Sequence, residues 1–246
     1  RGEQAAAQQR QVHATQPRDA ALPEQRRRLV EVTVDALESA LDRAGARWIS
    51  LGDTATASGL GSDAGARKLA ITDLSALARL GFKGRGTIAA MKSRGIVLEA
   101  EPNRAFRQPD GGLCLVLAAS EVILLDPLTG DGEKLRALHD GWRLEDMERT
   151  YPMLRRDSQA WFAVTGAKAP EMLAKICGID FRLDRFPDLS IAQTSVAKIS
   201  AIVTRADIGS TPAFHILADS ASALYFFDKF ADIFRLPGRD GPGHFL

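Results

Sequence analysis

The sequence predicts an α+β fold: two ferredoxin-like β-α-β-β-α repeats with mostly antiparallel sheets, plus an N-terminal arm and helix. Three observations carry that prediction. An apolar, strand-like run ending in glycine occurs twice, as Leu77–Gly84 (LARLGFKG) and Trp161–Gly166 (WFAVTG). After each run, apolar residues recur at helical spacing: Ile88 and Met91 beside Lys92 in the first copy, Met172, Leu173 and Ile176 in the second. Two further strands then follow in each copy, Gly112–Ala118 with Glu121–Asp126 and Ile191–Arg205 with Ala213–Leu217, before closing helices near 132–139 and 220–234.

The elements follow in chain order. Residues 1–22 are rich in Gln, Ala and Arg with few bulky apolar side chains, so burial cannot offset their ordering entropy; a mobile or partner-ordered arm is expected. Residues 23–45 predict an amphipathic helix. Pro23 sits near its first turn, Leu29 or Val30, Val34, Leu37 and Leu41 form the stripe, and Gly45 stops it. Such a helix lies either on its own domain or on a partner subunit, and the pattern allows both. Residues 46–69 are crowded with Gly, Ser, Asp and Ala and are expected as a linker. Their glycines at 59, 61 and 65 lack the strand and helix context that a phosphate-binding loop requires.

The main domain is assigned to 70–236, with a tail at 237–246. In its second half, Gln193, Thr194, Ser195, Ser200 and Thr204 interleave with Ile191, Val196, Ile199, Ile202 and Val203, as in a twisted and largely buried sheet. Ala206–Thr211 supplies turn residues before Pro212. Asp219 or Ser220 is positioned to cap a helix whose Ala223, Phe226, Phe227, Phe230 and Ile233 recur on one face.

Composition narrows the function classes. The chain has 246 residues, 45% of them hydrophobic and 26% charged, with a net charge of +1, which gives no electrostatic case for nucleic acid. No run approaches the roughly 20 apolar residues that cross a bilayer, so a soluble, cytoplasmic protein is expected. The first residue is Arg, which leaves a preceding targeting segment open. Cys114 and Cys177 both lie in apolar runs and read as small buried hydrophobes.

The sequence offers no catalytic, cofactor-binding or metal residue. The four histidines are His13, His139, His215 and His244. His13 and His244 fall in the terminal segments, His139 suits a helix C-terminus, and His215 reads as a satisfied sheet residue. No H-x-x-x-H or C-x-x-C spacing exists for zinc. Glu145, Asp146 and Glu148 sit among Arg143 and Arg149, the pattern of a solvated helix face. Arg104, Arg107, Arg155 and Arg156 lie in polar stretches and read plainly as solvated loop arginines.

Several ordered blocks carry a family resemblance. Ile71-Thr72-Asp73-Leu74-Ser75 leads into Leu80-Gly81-Phe82-Lys83-Gly84; Leu173–Asp180 reads LAKICGID; and Ala192–Val203 (AQTSVAKISAIV) precedes a TPAFHILADSASA run. Together they resemble the aminomethyltransferase family, which includes the glycine-cleavage T-protein, and within it the gamma subunit of heterotetrameric sarcosine oxidase. The resemblance implies a non-catalytic subunit of a complex that demethylates an N-methyl amine in one-carbon metabolism. It implies larger partner subunits holding FAD, FMN, NAD and tetrahydrofolate, with no cofactor in this chain. No segment aligns with the family's carboxylates for pterin and amine, Asp73 reads as a turn residue, and no strand-linked G-x-G-x-x-G is present for a flavin; in the folate chemistry the resemblance implies, Arg155 with Arg156 and Arg104 with Arg107 are candidates for a polyglutamate tail. An autonomous tetrahydrofolate-dependent aminomethyl or methyl transferase on the same fold is the alternative.

Overall fold

The structure, a computed structural model, describes residues 47–51, 54–59, 67–130, 132–143, 149–235 and 244–245. The expected arm, the helix at 23–45, the acidic group at 145–148 and most of the tail lie outside the described residues.

Two repeats form the domain, as the sequence predicts, with one strand more in each. The first runs β4 (Arg79–Lys83), α1 (Thr87–Ser93), β5 (Arg104–Arg107), β6 (Leu113–Ala118), β7 (Glu121–Leu125) and α2 (Glu133–Asp140). The second runs β9 (Gln159–Thr165), α3 (Ala169–Leu173), β10 (Ile191–Val196), β11 (Ile199–Arg205), β12 (Ala213–Asp219) and α4 (Ala223–Arg235). The strand order is the same in both, β5-β6-β7-β4 in one sheet and β10-β11-β12-β9 in the other, and all these pairs are antiparallel. Each opening strand ends on a glycine at positive φ, Gly84 at 149° and Gly166 at 104°. At Gly84 a β-carbon would lie 2.0 Å from the Arg149 carbonyl oxygen, so no other residue fits that approach.

The remaining strands are exchanged between the repeats. Strand β3 (Ala70–Asp73) directly precedes the first repeat but pairs with β9 of the second. Strand β8 (Tyr151–Leu154) directly precedes the second repeat but pairs with β4 of the first. The chain therefore crosses between sheets twice, and neither repeat can complete its sheet alone. A short β13 (His244–Phe245) adds in parallel beside β3, giving sheets of six and five strands.

The side-chain alternation of the strands stacks these sheets into four layers, helices outside and sheets within. Phe162, Val164, Phe214 and Ile216 face α3 and α4 with Phe226 and Phe230. Leu80, Phe82, Cys114 and Val116 face α1 and α2. The opposite faces meet each other, Leu115, Ile123 and Leu125 of the first sheet against Trp161, Ile202 and Leu217 of the second. Burial on both faces explains why β6 (LCLVLA) and β7 (EVILL) read as continuous apolar runs.

Two expectations need correction. Residues 46–69, expected as a linker, hold an antiparallel hairpin of β1 (Arg47–Leu51) and β2 (Thr54–Gly59). Gly, Ser, Asp and Ala together outnumber the other residues of that stretch, yet Trp48, Ile49, Thr54 and Thr56 favour extended backbone, and a two-stranded ladder needs few of them. The run Ile191–Arg205, expected as one strand, is two strands joined at Ala197 and Lys198, with φ of 48° and 70°. Both residues occupy the left-handed region of a tight hairpin turn without the usual glycine or asparagine. The turn is held from outside: Ala197 N–H donates to the Ile176 carbonyl and the Tyr225 hydroxyl donates to the Ala197 carbonyl. Lys198→Gly, at an exposed position, is expected to raise stability by about 0.5–1 kcal/mol in urea unfolding by relieving that conformation.

Candidate functional site

An open cleft of about 730 Å³ lies at the β10–β11 turn end of the second sheet, beside the β8–β9 connection. Its floor is Ile202 and Leu217, and its polar lining includes Arg155, Gln193, Ser195, Ser200 and Asp219. Alternation along the strands makes this wall: Ser195 and Ser200 face each other in register, as do Ile202 and Leu217. Gln193 reaches across to the other sheet, where its amide nitrogen donates to Asn103 Oδ1 at 2.8 Å and to the Leu117 carbonyl at 2.9 Å. Asp219 Oδ1 accepts from Ala221 N–H at 2.9 Å and caps the short 3₁₀ turn Ser220–Ser222 that leads into α4.

The opposite wall carries the charge. Arg155 Nη2 donates to Glu121 Oε1 at 2.9 Å, and Lys83 Nζ lies 2.9 Å from Glu121 Oε2. Arg155 and Glu121 are 16% and 19% exposed and Lys83 is 58% exposed, so the pair at the cleft is shielded while the lysine is in solvent. Arg155 lies across Gly81, where a β-carbon would come within 2.8 Å of Nε and 3.2 Å of Cγ. The glycine of β4 therefore makes room for the guanidinium.

None of the cleft's lining side chains is an imidazole or a thiol. His215 is buried between the sheets, where Trp161 Nε1–H donates to its Nδ1 at 3.1 Å and burial pushes its pKa down to about 4. Asp73 Oδ1 accepts from Ser75 N–H at 2.9 Å, the expected turn contact, and desolvation holds its carboxyl above the usual carboxylate range. Arg107 Nη2 bridges the sheets to Asp188 at 3.0 Å, and His139 lies in the last turn of α2, 3.2 Å from Asp140 Oδ1. Cys114 and Cys177 are free and buried, and burial pushes the Cys114 thiol up to about 12. Of the candidate arginines, Arg155 alone lines the cleft; the Arg156 carbonyl accepts from Arg79 in the sheet crossover. Among the described residues no group of three or more His, Cys, Asp or Glu could hold a metal ion, and no helix is long and apolar enough to cross a membrane.

Sequence reasoning did not single out the cleft, because Gly81, Glu121 and Arg155 come from three strands and segments that only the sheet pairing brings together. The usable signal was local: β10 and β11 place Ser195, Ser200 and Gln193 on one face of otherwise apolar strands.

No family model matches the sequence, and no curated protein matches it. Solved structures share its fold. A chain of the heterotetrameric sarcosine oxidase from Corynebacterium sp. U-96 superposes with a TM-score of 0.60 at 16% identity, over 82% of this chain and 92% of that one. The glycine cleavage system aminomethyltransferase T from Bartonella henselae superposes with a TM-score of 0.59 at 13% identity, over 79% of this chain and 56% of that one. The present chain thus spans little more than half of the aminomethyltransferase. At these identities the likeness establishes a common fold, that of the aminomethyltransferase type.

Proposed function

We propose that this chain is an organising subunit, without an active site of its own, of a multi-subunit flavin-dependent N-methyl amine oxidase of the sarcosine-oxidase kind. The observation that carries the reading is the fold likeness over 92% of a chain from a heterotetrameric sarcosine oxidase. The same fold accounts for little more than half of the glycine cleavage system aminomethyltransferase T, which favours the subunit role over an autonomous transferase. In this reading the larger partner subunits hold FAD, FMN, NAD and tetrahydrofolate, the hydride leaves the N-methyl carbon for a flavin there, and this chain keeps those subunits in register.

The test is the native mass of the protein isolated from its host under conditions that retain flavin. The expected species is several times heavier than the 26.6 kDa chain and includes flavin mass. A bare monomer that releases heat on titration with tetrahydrofolate would overturn the subunit reading in favour of the transferase. A bare monomer inert to tetrahydrofolate would overturn both.

A further inference from the structure

The charges on the Arg155 wall of the cleft do not balance. Lys83 and Arg155 share the single carboxylate of Glu121, one on each oxygen, so the triad carries one surplus positive charge. Among the described residues the Arg155 guanidinium bonds through Nη2 alone, to Glu121 and at 3.8 Å to the Met153 sulfur, and its Nε has no partner. Nε is buried against Gly81, so the donors left for a ligand are those of the Nη1 and Nη2 end, whose planar geometry matches a carboxylate. The neighbouring wall is polar and unspent. Ser195 and Ser200 oppose each other across β10 and β11, their hydroxyls make no hydrogen bond among the described residues, and both line the cleft. The cleft's volume is on the scale of sites that hold small molecules, roughly 300–1,000 Å³.

We propose that this cleft binds a small monocarboxylate bearing hydroxyl groups, its carboxylate on Arg155 and its hydroxyls along Ser195 and Ser200. The local charge favours a monoanion: the Lys83–Glu121–Arg155 triad carries one surplus positive charge on its wall, and Asp219 on the facing wall, which makes the cleft neutral as a whole, opposes a doubly charged phosphate. Gly81 belongs to the site because its missing side chain is what lets the guanidinium lie at the cleft wall. The inference stands on this chain's own residues and is independent of the subunit reading.

The experiment is an amide-resolved ¹⁵N NMR titration of the full chain with sodium gluconate, at sodium concentration matched by sodium chloride. The expected result is a saturable shift at Gly81, Ser195 and Ser200 with gluconate and none with chloride. Sorbitol, the uncharged polyol of the same length, is expected to bind at least about tenfold more weakly, as is inorganic phosphate. Arg155→Met is expected to weaken gluconate by about tenfold or more while leaving amide positions outside the cleft unchanged. Gly81→Ala keeps every charge but displaces the guanidinium, and should weaken gluconate as well. Equal shifts with sorbitol or chloride, tighter binding of phosphate than of gluconate, or a wild-type response in Arg155→Met would each overturn the proposal.

Discussion

Arg79→Met is expected to lower the unfolding free energy by about 3–5 kcal/mol. Arg79 opens β4 and is 4% exposed. Its guanidinium donates to four carbonyls: Ser75 at 2.9 Å and Leu77 at 2.7 Å on the β3–β4 connection, Arg156 at 2.7 Å on the β8–β9 connection and Gln159 at 3.0 Å where that connection enters β9. These connections are the two places where the chain crosses between sheets, so one side chain holds both crossings together. Burial lowers its pKa to about 10, which leaves it charged at neutral pH. Methionine matches much of the volume but donates nothing, and four carbonyls lose a charged partner in a place that water reaches poorly. Lysine restores the charge without the fork and should recover only part of the loss. The measurement is the urea midpoint of Arg79→Met, Arg79→Lys and wild type at pH 7. A loss under about 1 kcal/mol for Arg79→Met would mean that the exchanged strands hold the sheets without this brace.

The way the fold shows in the sequence follows from which forces are local. Gly84 and Gly166 mark equivalent positive-φ turns, and the apolar runs after them mark equivalent elements, so the repeat was visible in the residues. The Asp219 cap and the stripe of Ala223, Phe226, Phe227 and Phe230 follow from neighbours within a few residues and appear in the structure as read. The turn at Ala197 and Lys198 escaped because its conformation is imposed by Ile176 and Tyr225, distant in sequence, on residues that do not prefer it. Strand β5 (RAFR) has too few apolar residues to announce itself and is recruited by β6 and by the bond from Ala105 N–H to the Leu189 carbonyl. The exchange of β3 and β8 has no local signature. Each strand satisfies its pattern equally well beside either repeat, and only the whole domain decides. The cleft shares that origin, since Gly81 is an unremarkable strand glycine until Arg155 is laid across it.

Acid should weaken the domain through His215, by about 3 kcal/mol between pH 6.5 and pH 4. The ring is 2% exposed on β12 between the two sheets. Trp161 of β9 donates to Nδ1, so the ring is neutral with its proton on Nε2, and a backbone contact to Ala206 is too little to offset the loss of water. The folded pKa falls from 6.5 to about 4, with desolvation the main cause and Arg107 a lesser one. The sign follows from proton counting. Between those values the unfolded chain binds a proton that the folded chain refuses, so stability is full above pH 6.5, declines as pH falls, and levels off below about 4. At about 1.36 kcal/mol per unit, that interval gives the figure of about 3 kcal/mol. Asp73 acts in the opposite direction, because its raised pKa lets the folded chain take up a proton before the unfolded chain does, so wild type alone does not isolate the histidine. His215→Asn isolates it, since Oδ1 still accepts from Trp161 and nothing at the position titrates. The variant is expected to be less stable than wild type at pH 7 by a roughly constant packing cost of about 1–2 kcal/mol, and to lose most of the slope between pH 6.5 and 4. Urea unfolding at half-unit pH steps reads both. Parallel curves for the two proteins would show that protonation of His215 does not separate the sheets, and that acid acts on the domain through its carboxylates.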